Sequence, residues 1–101
     1  GVDTPLGRRQ DVRWPFRVPA ELRFAAQDGS SKLEYVDTHD LSLGGIGLTA
    51  RRPVPTELDG ELLLRMEDGT YKVRVRVIHS TQTIGGWRIG CQMLLPGTVP
   101  Q

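Results

Sequence analysis

The amino-acid sequence predicts an all-β domain, built either as a closed barrel or as a sandwich. Six short runs have strand patterns, and turn signals containing glycine, proline or aspartate separate them at regular spacing. No stretch shows the apolar periodicity of an amphipathic helix. A chain of 101 residues has room for one domain with one modest core. Closure into a barrel would leave so small a sheet without open edges.

The first two predicted strands are joined by a tight turn. Apolar and polar residues alternate from Val18 to Phe24, which indicates a half-buried strand, and Pro19 places its start near a sheet edge. Asp28 and Gly29 form the centre of the following turn. The second strand is predicted over residues 32–43, and it ends where two glycines interrupt the pattern.

The other four strands follow the same logic. Residues 46–49 form the third strand, and two prolines make residues 51–55 a loop. Residues 61–66 form the fourth strand, which Gly69 closes. The fifth strand has the clearest alternation, with four inward residues: Tyr71, Val73, Val75 and Val77. The sixth strand is predicted over residues 87–95.

Charge is balanced overall but not locally. The formal net charge is +1, which argues against a surface that coats nucleic acid. Cations nevertheless gather ahead of and within the first predicted strand, with only Asp11 and Glu21 to offset them: Arg8, Arg9, Arg13, Arg17 and Arg23. Such a concentration indicates a local anion-binding site.

Cysteine content and hydropathy restrict the compartment and the chemistry. Cys91 is the single cysteine, so it cannot form an internal disulfide or a cysteine-based zinc site, and no metal is expected. No apolar run approaches the roughly 20 residues of a membrane helix, and we expect a cytoplasmic domain. Because the chain opens with Gly1, we expect a processed product or a fragment of a longer protein.

Three segments are expected along the chain. Residues 1–12 combine glycine, proline and charges without a period, which predicts a flexible, arginine-containing lead-in. Residues 13–96 would form the β domain, and residues 97–101 a C-terminal tail.

Two motifs carry residue types suited to a guanine nucleotide. The first is Arg13-x-x-x-Arg17, and the second is Asp40-x-Ser42-x-x-Gly45. A guanidinium can donate two parallel hydrogen bonds to a phosphate or to guanine O6 and N7. A carboxylate accepts from guanine N1 and N2, and a hydroxyl two residues along an extended chain lies on the same face. Glycine allows a ligand to approach the backbone closely.

This pair of motifs, placed against strands in this order, resembles the signature of PilZ domains. The resemblance implies a six-stranded antiparallel Greek-key barrel that binds the bacterial messenger cyclic di-GMP. It also implies that the arginine segment precedes the first strand and lies opposite the second motif. The implied ligand-binding residues are Arg9, Arg13, Arg17, Asp40, Ser42 and Gly45.

A finer resemblance is to the PilZ domain of bacterial cellulose synthase catalytic subunits. It is carried by Arg9-Gln10-x-x-Arg13-x-x-x-Arg17-Val18, Asp40-x-Ser42-x-Gly44-Gly45-x-Gly47 and the later Leu62-Leu63-Leu64. It implies that the domain lies on the cytosolic side of an inner-membrane glycosyltransferase, attached or neighbouring, and activates it when cyclic di-GMP reorders the arginine segment. The arginine register stays open, because Arg9 and Arg13 also have the motif spacing. The number of ligand molecules, one or two, stays open as well.

Other functions compete with this interpretation. A PilZ domain can serve as a ligand-independent protein interaction module, although this chain keeps the motif arginines that such modules usually lack. A small barrel could also bind single-stranded nucleic acid, which the near-zero net charge disfavours. Catalysis is not expected of this domain, because strand alternation places His39 and Ser42 on opposite faces.

Overall fold

The computed structural model describes residues 12–94, and these residues form seven β-strands. The strands are β1 (Trp14–Pro15), β2 (Pro19–Ala25), β3 (Ser31–Leu41), β4 (Gly45–Ala50), β5 (Leu58–Met66), β6 (Gly69–Thr83) and β7 (Gly86–Met93). No helix long and apolar enough to cross a membrane occurs among these residues.

Six of the strands close into an antiparallel barrel, as the sequence predicts. Their order is β3-β2-β5-β6-β7-β4, and β4 pairs with β3 to complete the ring. β4 and β5 lie on opposite sides of this ring, so the chain between them crosses one end of the barrel. Val54 lies in this crossing and is buried, so it covers that end of the core. The Greek-key barrel expected from the family resemblance is confirmed.

The core consists of the inward-facing residues of all six barrel strands. Leu22, Leu48, Leu62, Val75 and Ile89 are fully buried. The alternation predicted for the first barrel strand is right for Ala20 and Leu22 but incomplete, because Glu21 is buried too. Arg65 and Arg23 form ion pairs with the Glu21 carboxylate and cover it. Burial of a charge is tolerated when such partners are present.

Strand ends differ modestly from the sequence-based prediction. β3 ends at Leu41 rather than residue 43, and β7 ends at Met93 rather than residue 95. Tyr71, predicted to face inward, is half-exposed, because it lies near the β5–β6 turn, and its hydroxyl donates to Asp68 at 3.0 Å. The turn at Gly29 is confirmed, with the positive φ of 87° that favours glycine.

β1 is an additional strand that the sequence analysis did not predict. It pairs with β3 through two residue pairs, Trp14 with Leu41 and Pro15 with Asp40. β2 pairs with β3 farther along the same edge, starting with Pro19 opposite Asp37. β1 and β2 therefore form one interrupted strand, with Arg13 directly before β1 and Arg17 inside the interruption. Arg8 and Arg9 lie outside the described residues, as does most of the predicted flexible lead-in.

The interruption is held by the buried hydroxyl of Thr38. Its Oγ1 donates to the Phe16 carbonyl at 2.5 Å and accepts from the Val18 amide at 2.8 Å. The Thr38 amide in turn donates to the Val18 carbonyl at 2.9 Å. Only 1% of Thr38 is exposed, so water cannot replace these hydrogen bonds. Thr38 thus fixes the backbone on both sides of Arg17 to the barrel wall.

We expect Thr38→Val, which keeps the side-chain shape, to lower the free energy of unfolding. The valine would leave the Val18 amide and the Phe16 carbonyl without their partner, at a cost of about 1–2 kcal/mol. Urea denaturation measures the change. Thr49→Val is the matched control, because the Thr49 hydroxyl makes no hydrogen bond among residues 12–94. Equal stability of the two variants would contradict the assigned role of Thr38.

Candidate ligand-binding site

Two glycines on neighbouring strands form the floor of a depression on the barrel exterior. Gly47 on β4 and Gly90 on β7 are register partners. The residues flanking each of them, such as Leu48 and Ile89, are buried in the core, so both glycine positions face outward. Without side chains at these two positions, side chains from the neighbouring strands can lie directly against the sheet.

The depression is a cavity of about 540 Å³ bounded by β3, β4, β6 and β7. Its lining includes four of the residues predicted for the ligand site: Arg13, Asp40, Ser42 and Gly45. His79, Arg88 and Gln92 line it as well. The structure therefore brings together residues from both sequence motifs, although the motifs are 27 residues apart at Arg13 and Asp40.

A β-bulge flanks the glycine floor on each side. The β3–β4 register shifts between Thr38 and Asp40, and the β6–β7 register shifts between Val77 and His79. Bulges change the direction of side chains, and here they place Asp40 over Gly47 and His79 over Gly90. A β-carbon at position 47 would lie 2.5 Å from Asp40 Oδ1, and one at position 90 would meet the His79 ring.

Both carboxylate oxygens of Asp40 have partners. Arg13 Nη1 donates to Oδ1 at 3.0 Å, and His39 Nδ1 lies 3.1 Å from Oδ2. Burial by itself would raise the pKa of Asp40, but the hydrogen bond from His39 and the charges of Arg13 and Arg88 outweigh it. The pKa of Asp40 therefore lies below its ordinary value, and the group is an ionised acceptor at neutral pH.

Ser42 and Gly45 form the turn between β3 and β4. The Ser42 amide donates to the Gly45 carbonyl at 2.9 Å, and the Gly44 carbonyl accepts from the Met93 amide at 2.8 Å. Glycine is needed at position 45 because a β-carbon there would lie 2.9 Å from the Cys91 carbonyl oxygen. Gly44 has open space around it. The turn thus depends on close backbone approach at Gly45, and neither glycine has a positive φ.

Arg17 and Arg9 are not placed in this cavity by the structure. Arg17 lines a neighbouring cavity, and its Nε donates to the His39 carbonyl at 3.4 Å. Arg9 lies outside the described residues, so the predicted role of either arginine stays a prediction. The sequence analysis missed Arg88 and His79, because their places follow from strand register, which a single sequence does not show. Arg88 pairs with Thr49, and His79 pairs with Gly90 beside the glycine floor.

The chemistry of the cavity suits binding of a polar planar ligand. It combines a cation at Arg13, an anionic acceptor at Asp40, a hydroxyl at Ser42 and the backbone of the Gly44–Gly45 turn. No group of three histidine, cysteine, aspartate or glutamate side chains within residues 12–94 could hold a metal ion. Burial raises the pKa of the Cys91 thiol to about 12, so this sulfur stays protonated at neutral pH.

Solved structures support the fold. YcgR from Escherichia coli, in complex with c-di-GMP, superposes with a TM-score of 0.66 at 20% identity over 90% of this chain and 40% of that one. The PilZ domain of YcgR with c-di-GMP gives 0.58 at 17% identity, covering 83% and 79%. The MrkH–c-di-GMP complex of K. pneumonia gives 0.60 at 21% identity, covering 88% and 44%. The chain thus spans about two fifths of the YcgR and MrkH chains.

Sequence comparison identifies the family directly. No curated protein matches the chain. The family model for the PilZ domain, however, matches residues 7–101, which is almost the whole sequence. That match includes both motifs and all seven strands. The chain therefore belongs to the PilZ domain family.

Proposed function

We propose that this PilZ domain binds cyclic di-GMP in the glycine-floored cavity and acts as a regulatory module. The observation that carries the proposal is the meeting of Arg13 with Asp40, Ser42 and Gly45 in one cavity of about 540 Å³. The proteins with similar folds, YcgR and MrkH, were solved with c-di-GMP, which supports the same ligand here. Arg9 and Arg17 belong to the proposed site as further cationic contacts from the arginine segment.

Each group in the cavity has a partner on the ligand. Asp40 would accept from guanine N1 and N2, which selects guanine because adenine lacks this pair of donors. Arg13 would donate to a phosphate or to guanine O6 and N7. Ser42 would add a hydroxyl contact beside Asp40, and Gly45, which has no side chain, would let the ligand approach the backbone closely.

Ligand binding through these contacts would change the ion-pair partner of Arg13. In the free domain Arg13 pairs with Asp40, and half of its side chain is exposed. A guanine edge at Asp40 competes with that ion pair, while the ligand phosphates offer Arg13 new acceptors. Arg13 would therefore exchange its ion pair with Asp40 for contacts with the ligand. Such a difference between two states is what a ligand-driven switch requires.

The output of this switch is proposed to be an attached or neighbouring cellulose synthase, a membrane glycosyltransferase activated when the arginine segment is reordered. The support is the resemblance in the arginine run and in the glycines that follow Asp40. The domain would then lie in the cytoplasm, on the cytosolic side of the bacterial inner membrane. Glucan synthesis by the parent protein in membrane vesicles, with and without cyclic di-GMP, tests this part separately.

Calorimetric titration with cyclic di-GMP tests the binding proposal, with cyclic di-AMP as the ligand control. We expect Arg13→Ala to weaken binding about tenfold, because a charge-assisted contact is lost while Asp40 is freed from its ion pair. Arg74→Ala is the matched control, since Arg74 is exposed on β6 outside the cavity. Absence of uptake by the unsubstituted domain at high ligand concentration would overturn the proposal and favour a ligand-independent interaction module.

A further inference from the structure

Three side chains, Arg88, His39 and Asp40, form a hydrogen-bonded chain at the ligand cavity. Arg88 Nη2 on β7 lies 3.3 Å from His39 Nε2, and His39 Nδ1 lies 3.1 Å from Asp40 Oδ2. Side chains of consecutive strand residues ordinarily point to opposite faces. The β-bulge between Thr38 and Asp40 removes that constraint, which allows the His39 ring to reach its neighbour's carboxylate.

The hydrogen-bond donors around His39 determine which ring nitrogen carries the proton in its neutral form. A guanidinium has only donors, so His39 Nε2 must accept from Arg88. In a neutral imidazole the proton then resides on Nδ1, which donates to Asp40 Oδ2. A proton on Nε2 instead would set donor against donor at Arg88 and leave Asp40 without a donor from the ring. The geometry therefore selects one tautomer.

We propose that His39 is a positioning residue of the ligand site and that Arg88 fixes its tautomer; this inference rests on the proposed function. The two oxygens of Asp40 have partners of different exposure. Arg13 holds Oδ1 and is half-exposed, whereas His39 holds Oδ2 and is 28% exposed. When the ligand draws Arg13 away, His39 keeps the carboxylate in the orientation that accepts guanine. Neither His39 nor Arg88 belongs to the two sequence motifs.

Arg88 is suited to this role by its surroundings. It lies on β7 opposite Thr49 of β4, in a row next to the glycine floor. Its Nε is buried and has no hydrogen-bond partner within residues 12–94. The hydrogen bond to His39 is the one polar contact that the described residues give this guanidinium. The hydrogen bond therefore orients both the Arg88 guanidinium and the His39 imidazole.

Heteronuclear NMR of the imidazole nitrogens tests the tautomer without any ligand. The domain contains two histidines, so His79→Gln assigns the signals. At mildly alkaline pH, where imidazoles are neutral, we expect His39 to carry its proton on Nδ1. Arg88→Met keeps the length of the apolar stem but removes the donor, and it should shift His39 toward the Nε2-protonated form. A His39 already protonated on Nε2 in the unsubstituted domain would overturn the inference.

Ligand titration of His39 variants completes the test. We expect His39→Ala to weaken cyclic di-GMP binding about tenfold, because Asp40 loses the donor that orients it. His39→Asn places an amide donor where Nδ1 lies and should recover most of that loss. If the unsubstituted domain and His39→Ala bind cyclic di-GMP with equal affinity, the positioning role alone is overturned. Failure of the unsubstituted domain to bind would instead overturn the proposed function.

Discussion

Replacing Asp40 by alanine is expected to weaken cyclic di-GMP binding about 100-fold, because an ionised acceptor for two guanine donors is lost. The loss exceeds that expected for Arg13→Ala, since no other carboxylate lines the cavity within residues 12–94. The donors on guanine would then be desolvated without a partner, which is costlier than losing one exposed contact. Calorimetric titration at neutral pH measures the difference, because the lowered pKa of Asp40 keeps it ionised there.

Asp37→Ala is the control for this variant. Asp37 lies on the same strand, β3, but is exposed and outside the cavity. Its removal changes the net charge equally, so general electrostatic attraction of the dianionic ligand changes by a similar amount in both variants. Comparable affinities for Asp37→Ala and Asp40→Ala would show that charge, and not the carboxylate in the cavity, governs binding.

Gly47→Ala is expected to weaken binding at least about tenfold although it adds only one carbon atom. The β-carbon would lie 2.5 Å from Asp40 Oδ1, so the carboxylate has to leave the position in which Arg13 and His39 hold it. Because the position faces outward, we expect most of the core to be unaffected.

Gly44→Ala measures the general cost to stability of replacing a glycine in the same cavity lining. A β-carbon at position 44 would meet nothing within 4 Å, and no left-handed φ is required there. Urea denaturation of both variants shows how much of any change is stability. Equal affinity of Gly47→Ala and the unsubstituted domain would mean that binding does not depend on the position that Asp40 occupies over Gly47.

The barrel could be predicted because its strands carry strong local signals. Val75 and Val77 alternate with charged residues, and both are fully buried as that pattern indicates. β1 could not be predicted in this way, since two residues are too few to show a period and one of them is Pro15. β1 forms because it pairs with the end of β3, and no local sequence pattern encodes that pairing.

The site was predicted only where motif and strand agreed. Asp40 and Ser42 were expected on one face and do line one cavity. Strand alternation separated His39 from that face, and a bulge cannot be read from a single sequence, so its contact with Asp40 was missed. Arg88 is 49 residues from His39 and reaches it only because β4 and β7 are neighbours in the closed ring.

The two halves of the interrupted strand are attached to the barrel with different strength. Two residue pairs attach Trp14 and Pro15 to the barrel, whereas Thr38 anchors the chain immediately after them. Detaching β1 from β3 would break only these two residue pairs. The Thr38 contacts would then act as a pivot, and Arg13 would move with the detached segment. On the proposed function, ligand binding would change the direction in which the chain N-terminal to this pivot leaves the barrel, while the barrel itself kept its shape.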